Sequence, residues 1–141
     1  MVIVFIVNIF VIALAVVIHY EFLYRITVMM PRLKIRHRFR IVLGVFLALT
    51  AHAAEVWVFA ISYYLMNNSE KWGDLQGNFD GSLMDCAYFS FTIFTTLGFG
   101  DIVPAGDLRF LTGLESLTGL VLITWTASFL YLEMTRYWDE N

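Results

Sequence analysis

Thr96-Leu97-Gly98-Phe99-Gly100-Asp101 sets a threonine, two glycines flanking an aromatic residue, and an acid in six consecutive positions. Glycine reaches backbone conformations closed to other residues, so successive carbonyls of such a stretch can turn the same way. Rings of carbonyl oxygens gathered around an axis can replace the hydration shell of a cation. The chemistry on offer is ion coordination by backbone oxygen, with no bond made or broken. The plain alternative is a glycine turn joining two helices. The context argues against it: Leu83 to Phe94 is a short apolar patch, Pro104 follows the motif, and long apolar runs lie on both sides.

A second group of capable residues sits inside apolar runs. His52 and Glu55 are three residues apart and share one helix face, while Glu115 lies in a later run. Ionisable groups there are costly unless they face protein or water. One histidine and one glutamate give two metal ligands, short of the three or four a zinc-type site takes. A polar contact between helices, with Glu115 or the backbone of the short helix as partner, is the favoured reading. The sharper one is a proton sensor, since an imidazole titrates near neutral pH. A metal enzyme built on His52, Glu55 and Glu115 is the remotest.

These residues need elements to hold them. The chain has 141 residues, 60% hydrophobic and 15% charged, too apolar for a soluble domain of its size. A helix crosses a bilayer with about 20 apolar residues. Val2 to Ile18, Ile41 to Met66 and Phe110 to Leu132 meet that requirement. Leu83 to Phe94 is too short to span and suits a re-entrant helix covered by protein. Ser82 is its expected N-cap, with Asp85 three residues on. A signal peptide would open on basic residues, whereas this chain opens Met-Val-Ile-Val-Phe, so residues 1–20 read as a retained membrane helix. Cys86 is the single cysteine, which rules out a disulfide within the chain. No phosphate-binding glycine loop, dinucleotide fingerprint, repeat or low-complexity linker is visible, and nothing points to nucleic acid.

Six of the nine basic residues, Arg25, Arg32, Lys34, Arg36, Arg38 and Arg40, fall between the first two spans. Short basic loops stay in the cytoplasm, which puts the N-terminus outside, residues 67–109 outside and the C-terminus inside. The outer segment is acidic, with Glu70, Asp74, Asp80, Asp85, Asp101 and Asp107 against Lys71 and Arg109. Tyr20, Tyr24, Tyr137 and Trp138 are expected near the inner surface, and Tyr63, Tyr64 and Trp72 near the outer one. Arg32 to Arg40 alternate at every second position outside a span, unlike a voltage sensor. They set topology, and anionic headgroups are a possible partner.

The motif and its setting, over about residues 82 to 130, resemble the small pore-domain potassium channel family, whose filter physics is well established. The resemblance implies an all-α membrane protein: three transmembrane helices plus a re-entrant pore helix and a selectivity-filter loop, in the tetrameric potassium-channel pore fold. It divides the chain into an N-terminal membrane helix (1–20), a basic linker (21–40), a pore domain (41–132) and a short cytoplasmic tail (133–141). Within the pore domain lie an outer helix (41–66), pore helix (82–95), filter (96–101) and inner helix (109–132). Potassium would bind at Thr96, Leu97, Gly98 and Phe99, with Gly100 turning the chain away. Thr95 and Asp101 would support the filter. Gly119 takes the place of a hinge glycine, with close packing as its alternative. Leu120, Ile123, Ala127 and Tyr131 share a spacing that would face the conduction path, Ile123 and Tyr131 as gates. The resemblance implies a non-enzymatic, multi-pass plasma-membrane homotetramer with no cofactor beyond potassium ions. Leu97, Phe99 and Ile93 depart from the family pattern, which makes a weakly selective cation channel the nearest rival. A non-conducting scaffold or auxiliary subunit is the rival from another class.

Overall fold

The computed structural model describes residues 2–69 and 71–138, without the side chains of His37, Arg38, Tyr137 and Trp138. Expectations resting on Glu70, on those side chains, or on residues 139–141 lie outside the described residues. Three long helices, α1 (Val2–Met29), α2 (His37–Asn67) and α4 (Leu108–Trp138), pack on one another, and a shorter one, α3 (Leu83–Phe94), packs on α2 and α4. The three long ones are long and apolar enough to cross a membrane. The expectation of an all-α membrane channel fold is met, with one small addition. Strands β1 (Leu75–Gly77) and β2 (Ile102–Pro104) pair antiparallel, Gln76 opposite Val103.

Helix α1 runs well past the expected limit at residue 20. Its buried stripe explains why. Val4, Asn8, Val11, Ala15, His19, Leu23 and Ile26 recur every three or four residues, so one face stays covered along the whole length. Leu23, Ile26 and Met30 form a small cluster with Leu43, Leu47 and Phe129. On the exposed side Glu21 and Arg25 pair at 3.3 Å, four residues apart. Pro31 then ends the run in a single 3₁₀ turn, Met30–Arg32, because proline has no N–H to continue it. The expected linker over 21–40 therefore shrinks to a turn and a few residues. Arg40 Nη2 donates to the Leu33 carbonyl at 2.8 Å and ties that turn to the start of α2.

Helix α4 likewise extends into the expected tail, where Glu133 and Arg136 pair at 3.3 Å. It passes through Gly113 and Gly119 without interruption. The main core gathers Phe59 and Tyr63 of α2, Cys86, Phe89 and Phe94 of α3, and Leu108, Leu111 and Leu122 of α4. Helix α3 is thus wedged between α2 and α4.

Candidate functional site

The strip from Thr96 to Asp101 leaves the C-terminal end of α3 and runs to β2. Thr95 is the C-cap of α3, and its hydroxyl donates to the Phe91 carbonyl at 2.7 Å. Thr96, Gly98 and Gly100 have φ of 59°, 52° and 78°, while Leu97 and Phe99 are not on the positive side. Positive φ at every second residue is a backbone pattern that residues with side chains rarely adopt, and it sets the strip apart from an ordinary turn. Glycine accepts this at 98 and 100. Thr96 is β-branched and the one non-glycine residue with positive φ among those described, a strained conformation of the kind that clusters at functional sites.

Four hydrogen bonds hold the strip in place. Thr96 N–H donates to the Ile93 carbonyl and Gly98 N–H to the Thr92 carbonyl, both at 2.9 Å. At the far end Tyr88 Oη donates to Asp101 Oδ2 at 2.8 Å, joining the strip to α3. This brace was not expected from the sequence, although Tyr88 lies thirteen residues before the acid it holds. The 75–77/102–104 strand pair holds the outgoing chain, and Asn78 N–H donates to the Asp101 carbonyl at 2.9 Å. The residues of the strip itself are exposed on the single chain, with Leu97 60% and Phe99 64% accessible. A Cβ built on Gly98 or Gly100 meets nothing within 4 Å.

Gly119 has a different setting. A Cβ there would lie 2.1 Å from the Phe94 carbonyl oxygen, so α4 crosses the end of α3 at a distance only glycine permits. The close packing named as the alternative to a hinge is present at this residue. Leu120, Ile123 and Tyr131 are 53%, 38% and 65% exposed, uncovered by the chain's own helices. Arg32, Lys34 and Arg36 are exposed around the turn between α1 and α2.

The buried ionisable residues separate into two clusters, and Glu115 does not join His52 and Glu55. Glu115 accepts hydrogen bonds from Tyr63 Oη of α2 and Ser90 Oγ of α3, each at 2.5 Å, and so joins three helices. The Val56 carbonyl lies 2.9 Å from Ser90 Oγ and shares that hydroxyl's one proton. The expected contact of His52 and Glu55 with Glu115 is not formed; Glu115 meets the short helix by itself, through the Ser90 side chain. Glu55 instead lies between two imidazoles, His19 Nδ1 at 2.8 Å from Oε1 and His52 Nδ1 at 2.9 Å from Oε2. Thr126 Oγ1 of α4 closes the arrangement, 3.4 Å from His19 Nε2 and 3.0 Å from His52 Nε2. His19 was missed because it falls just past the apolar run. Its place on the buried face of α1, after Val11 and Ala15, was set by packing and carried no sequence signal, because α1 is apolar on nearly every side.

Wedged short helix, exposed glycine strip and long flanking helices define the pore of an ion-conducting membrane protein. The chain belongs to the ion channel family of two-helix pores, whose family model matches residues 51–136. No curated protein and no solved structure matches it. It is a multi-pass membrane protein of the ion-transport class.

Proposed function

We propose that four copies of this chain assemble around an axis into a potassium-selective channel, with dehydrated potassium ions passing carbonyl rings supplied by Thr96, Leu97, Gly98 and Phe99. The observation that carries this reading is the alternation of positive φ at Thr96, Gly98 and Gly100 on a strip its own chain leaves bare. One copy supplies one wall of a pore, and closed rotational symmetry supplies the rest. Helix α3 directs its C-terminal, partly negative end at the start of the strip, an arrangement that favours a cation there. The Tyr88–Asp101 bond supports the filter from its own chain, where Phe99 has no hydroxyl to offer. Conduction is passive and needs no catalytic group.

The orientation argued from charge, N-terminus outside and C-terminus in the cytoplasm of a plasma-membrane protein, belongs to the same proposal. It brings the acidic segment to the outer mouth, where it concentrates cations. The exposed Arg32, Lys34 and Arg36 then face anionic headgroups, with Arg38 and Arg40 close by in sequence.

Purified protein in liposomes, assayed under a potassium gradient and then a sodium gradient, tests the reading. Potassium flux should far exceed sodium flux, and Thr96→Ala or Gly98→Ala should abolish it. Comparable fluxes would identify a weakly selective cation channel. Absence of flux for either ion, with variants no different from the parent, would identify a scaffold.

A further inference from the structure

We infer that His19, His52 and Glu55 form a binding site for a divalent transition metal of the zinc class, with the Thr126 hydroxyl as its outer support. The donor set is two imidazoles and a carboxylate from α1 and α2. One ligand atom from each lies within 4.8 Å of the others. His19 and Glu55 are fully buried, and the His52 side chain is 16% exposed, which leaves one way in. Zinc binds histidine nitrogen and carboxylate oxygen at about 2.0–2.2 Å, so two ligands of one ion sit about 3 Å apart. The Nδ1-to-oxygen separations of 2.8 and 2.9 Å are close to that spacing. Calcium and magnesium prefer all-oxygen surroundings, whereas imidazole suits zinc and its neighbours.

Hydrogen bonds define the ring without an ion. Glu55, His19, Thr126 and His52 meet in four contacts, at 2.8, 2.9, 3.0 and 3.4 Å. An ionised carboxylate only accepts, each neutral imidazole brings one proton, and the hydroxyl brings one. Three protons serve the three short contacts, and the 3.4 Å contact of His19 Nε2 with Thr126 Oγ1 has none. An ion held by both Nδ1 atoms and the carboxylate would put each ring's proton on Nε2, where both can donate to Thr126 Oγ1. Ligating histidines regularly donate their second N–H to such an outer partner.

Charge points the same way. A carboxylate buried within a membrane-spanning helix needs a positive partner. Among the described residues, Glu55 pairs only with these two histidines, and neither brings charge while neutral. The ion would join α1 to α2 beside the end of the pore helix. Phe94, the last residue of α3, packs 5.8 Å from the His52 ring, and Trp125 packs 5.0 Å from the His19 ring.

The test takes the full-length chain purified in detergent, stripped with a chelator and titrated with Zn²⁺ alone. Bound zinc per chain is measured by elemental mass spectrometry. A parallel titration with Co²⁺ reads the visible absorption that nitrogen and oxygen ligands give. One ion per chain is expected, with a raised melting temperature. His19→Ala and Glu55→Ala should lose it, and Thr126→Val should weaken it by about 10- to 100-fold. A stripped parent that is folded by circular dichroism yet takes up no zinc overturns the proposal. Equal uptake by His19→Ala does so too. If the variants fail to fold, the stoichiometry and Co²⁺ spectrum of the parent decide. A folded parent that ignores zinc but melts differently with pH would replace the metal by a shared proton.

Discussion

Gly119 and Gly113 occupy the same helix six residues apart, yet their surroundings differ completely. A Cβ at Gly119 would overlap the Phe94 carbonyl, while one at Gly113 meets nothing within 4 Å. Gly119→Ala should therefore lower the melting temperature sharply and disturb conduction, because backbone on both sides must move. Gly113→Ala should be neutral or stabilising by up to about 1 kcal/mol, the helix-propensity difference. Equal behaviour of the two variants in thermal melts would remove the packing account. Asn8 poses the opposite case. Its amide is fully buried on the α1 stripe, and neither its nitrogen nor its oxygen has a hydrogen-bond partner among the described residues. An unsatisfied buried amide costs about 1–3 kcal/mol, offset here by the contacts its carbon atoms make. Asn8→Ala is expected to melt at or above the parent temperature, and a clear fall would show that the amide has a partner in the assembly.

Helix α3 begins with interlocked caps. Ser82 Oγ accepts from Asp85 N–H at 3.1 Å, Asp85 Oδ2 accepts from Asp80 N–H at 2.9 Å, and Asp80 Oδ1 accepts from Ser82 N–H at 2.7 Å. Hydrogen bonds from Ser82 hold the Asp80 carboxyl below its ordinary value of 3.8, despite its exposure. A carboxyl lowered in the folded state adds stability above its unfolded value and loses it as pH falls through the folded one. Asp80→Asn should thus be less stable than the parent at neutral pH, with the two melting temperatures converging below pH 3.8. Melts over an acid series check this, and a constant gap would assign the Asp80 effect to something other than its charge. The cap itself was expected from Ser82 and Asp85. The third member, Asp80, was not, because its role depends on the loop folding back.

Across the whole molecule, Glu115 is the point where α2, α3 and α4 meet. Tyr63 and Ser90 lie 52 and 25 residues from it in sequence and both donate to its carboxylate. Tyr63→Phe and Ser90→Ala should each destabilise the protein. Their combination should depart from additivity by about 0.5–3 kcal/mol, since the two share one acceptor. Glu115→Ala should exceed either single change, because it removes the acceptor that both hydroxyls share and leaves them only the Val56 carbonyl and the Thr112 hydroxyl. Chemical unfolding of the four proteins measures the cycle, and strict additivity would mean the two hydroxyls act independently. Ser90 lies on α3, whose C-terminal end leads into the strip, so ion flux is the further readout for Glu115→Ala.

What this sequence determined by itself is local. Apolar runs long enough to span, the short capped helix, and the threonine–glycine strip were all legible, because length and residue type decide them without reference to neighbours. The ends of the helices were less so: α1 and α4 continue beyond their apolar runs because pairs four or three residues apart and buried clusters carry them on. The tertiary structure alone decided which polar groups meet. His19 reaches Glu55 across 36 residues, Thr126 reaches His52 across 74, and Glu115 joins Tyr63 rather than His52. A helix apolar on nearly every side carries no stripe to show which face turns inward. Rotation and register of α1, α2 and α4 therefore had to be set by packing, such as the close crossing at Gly119, before their few polar residues could find one another.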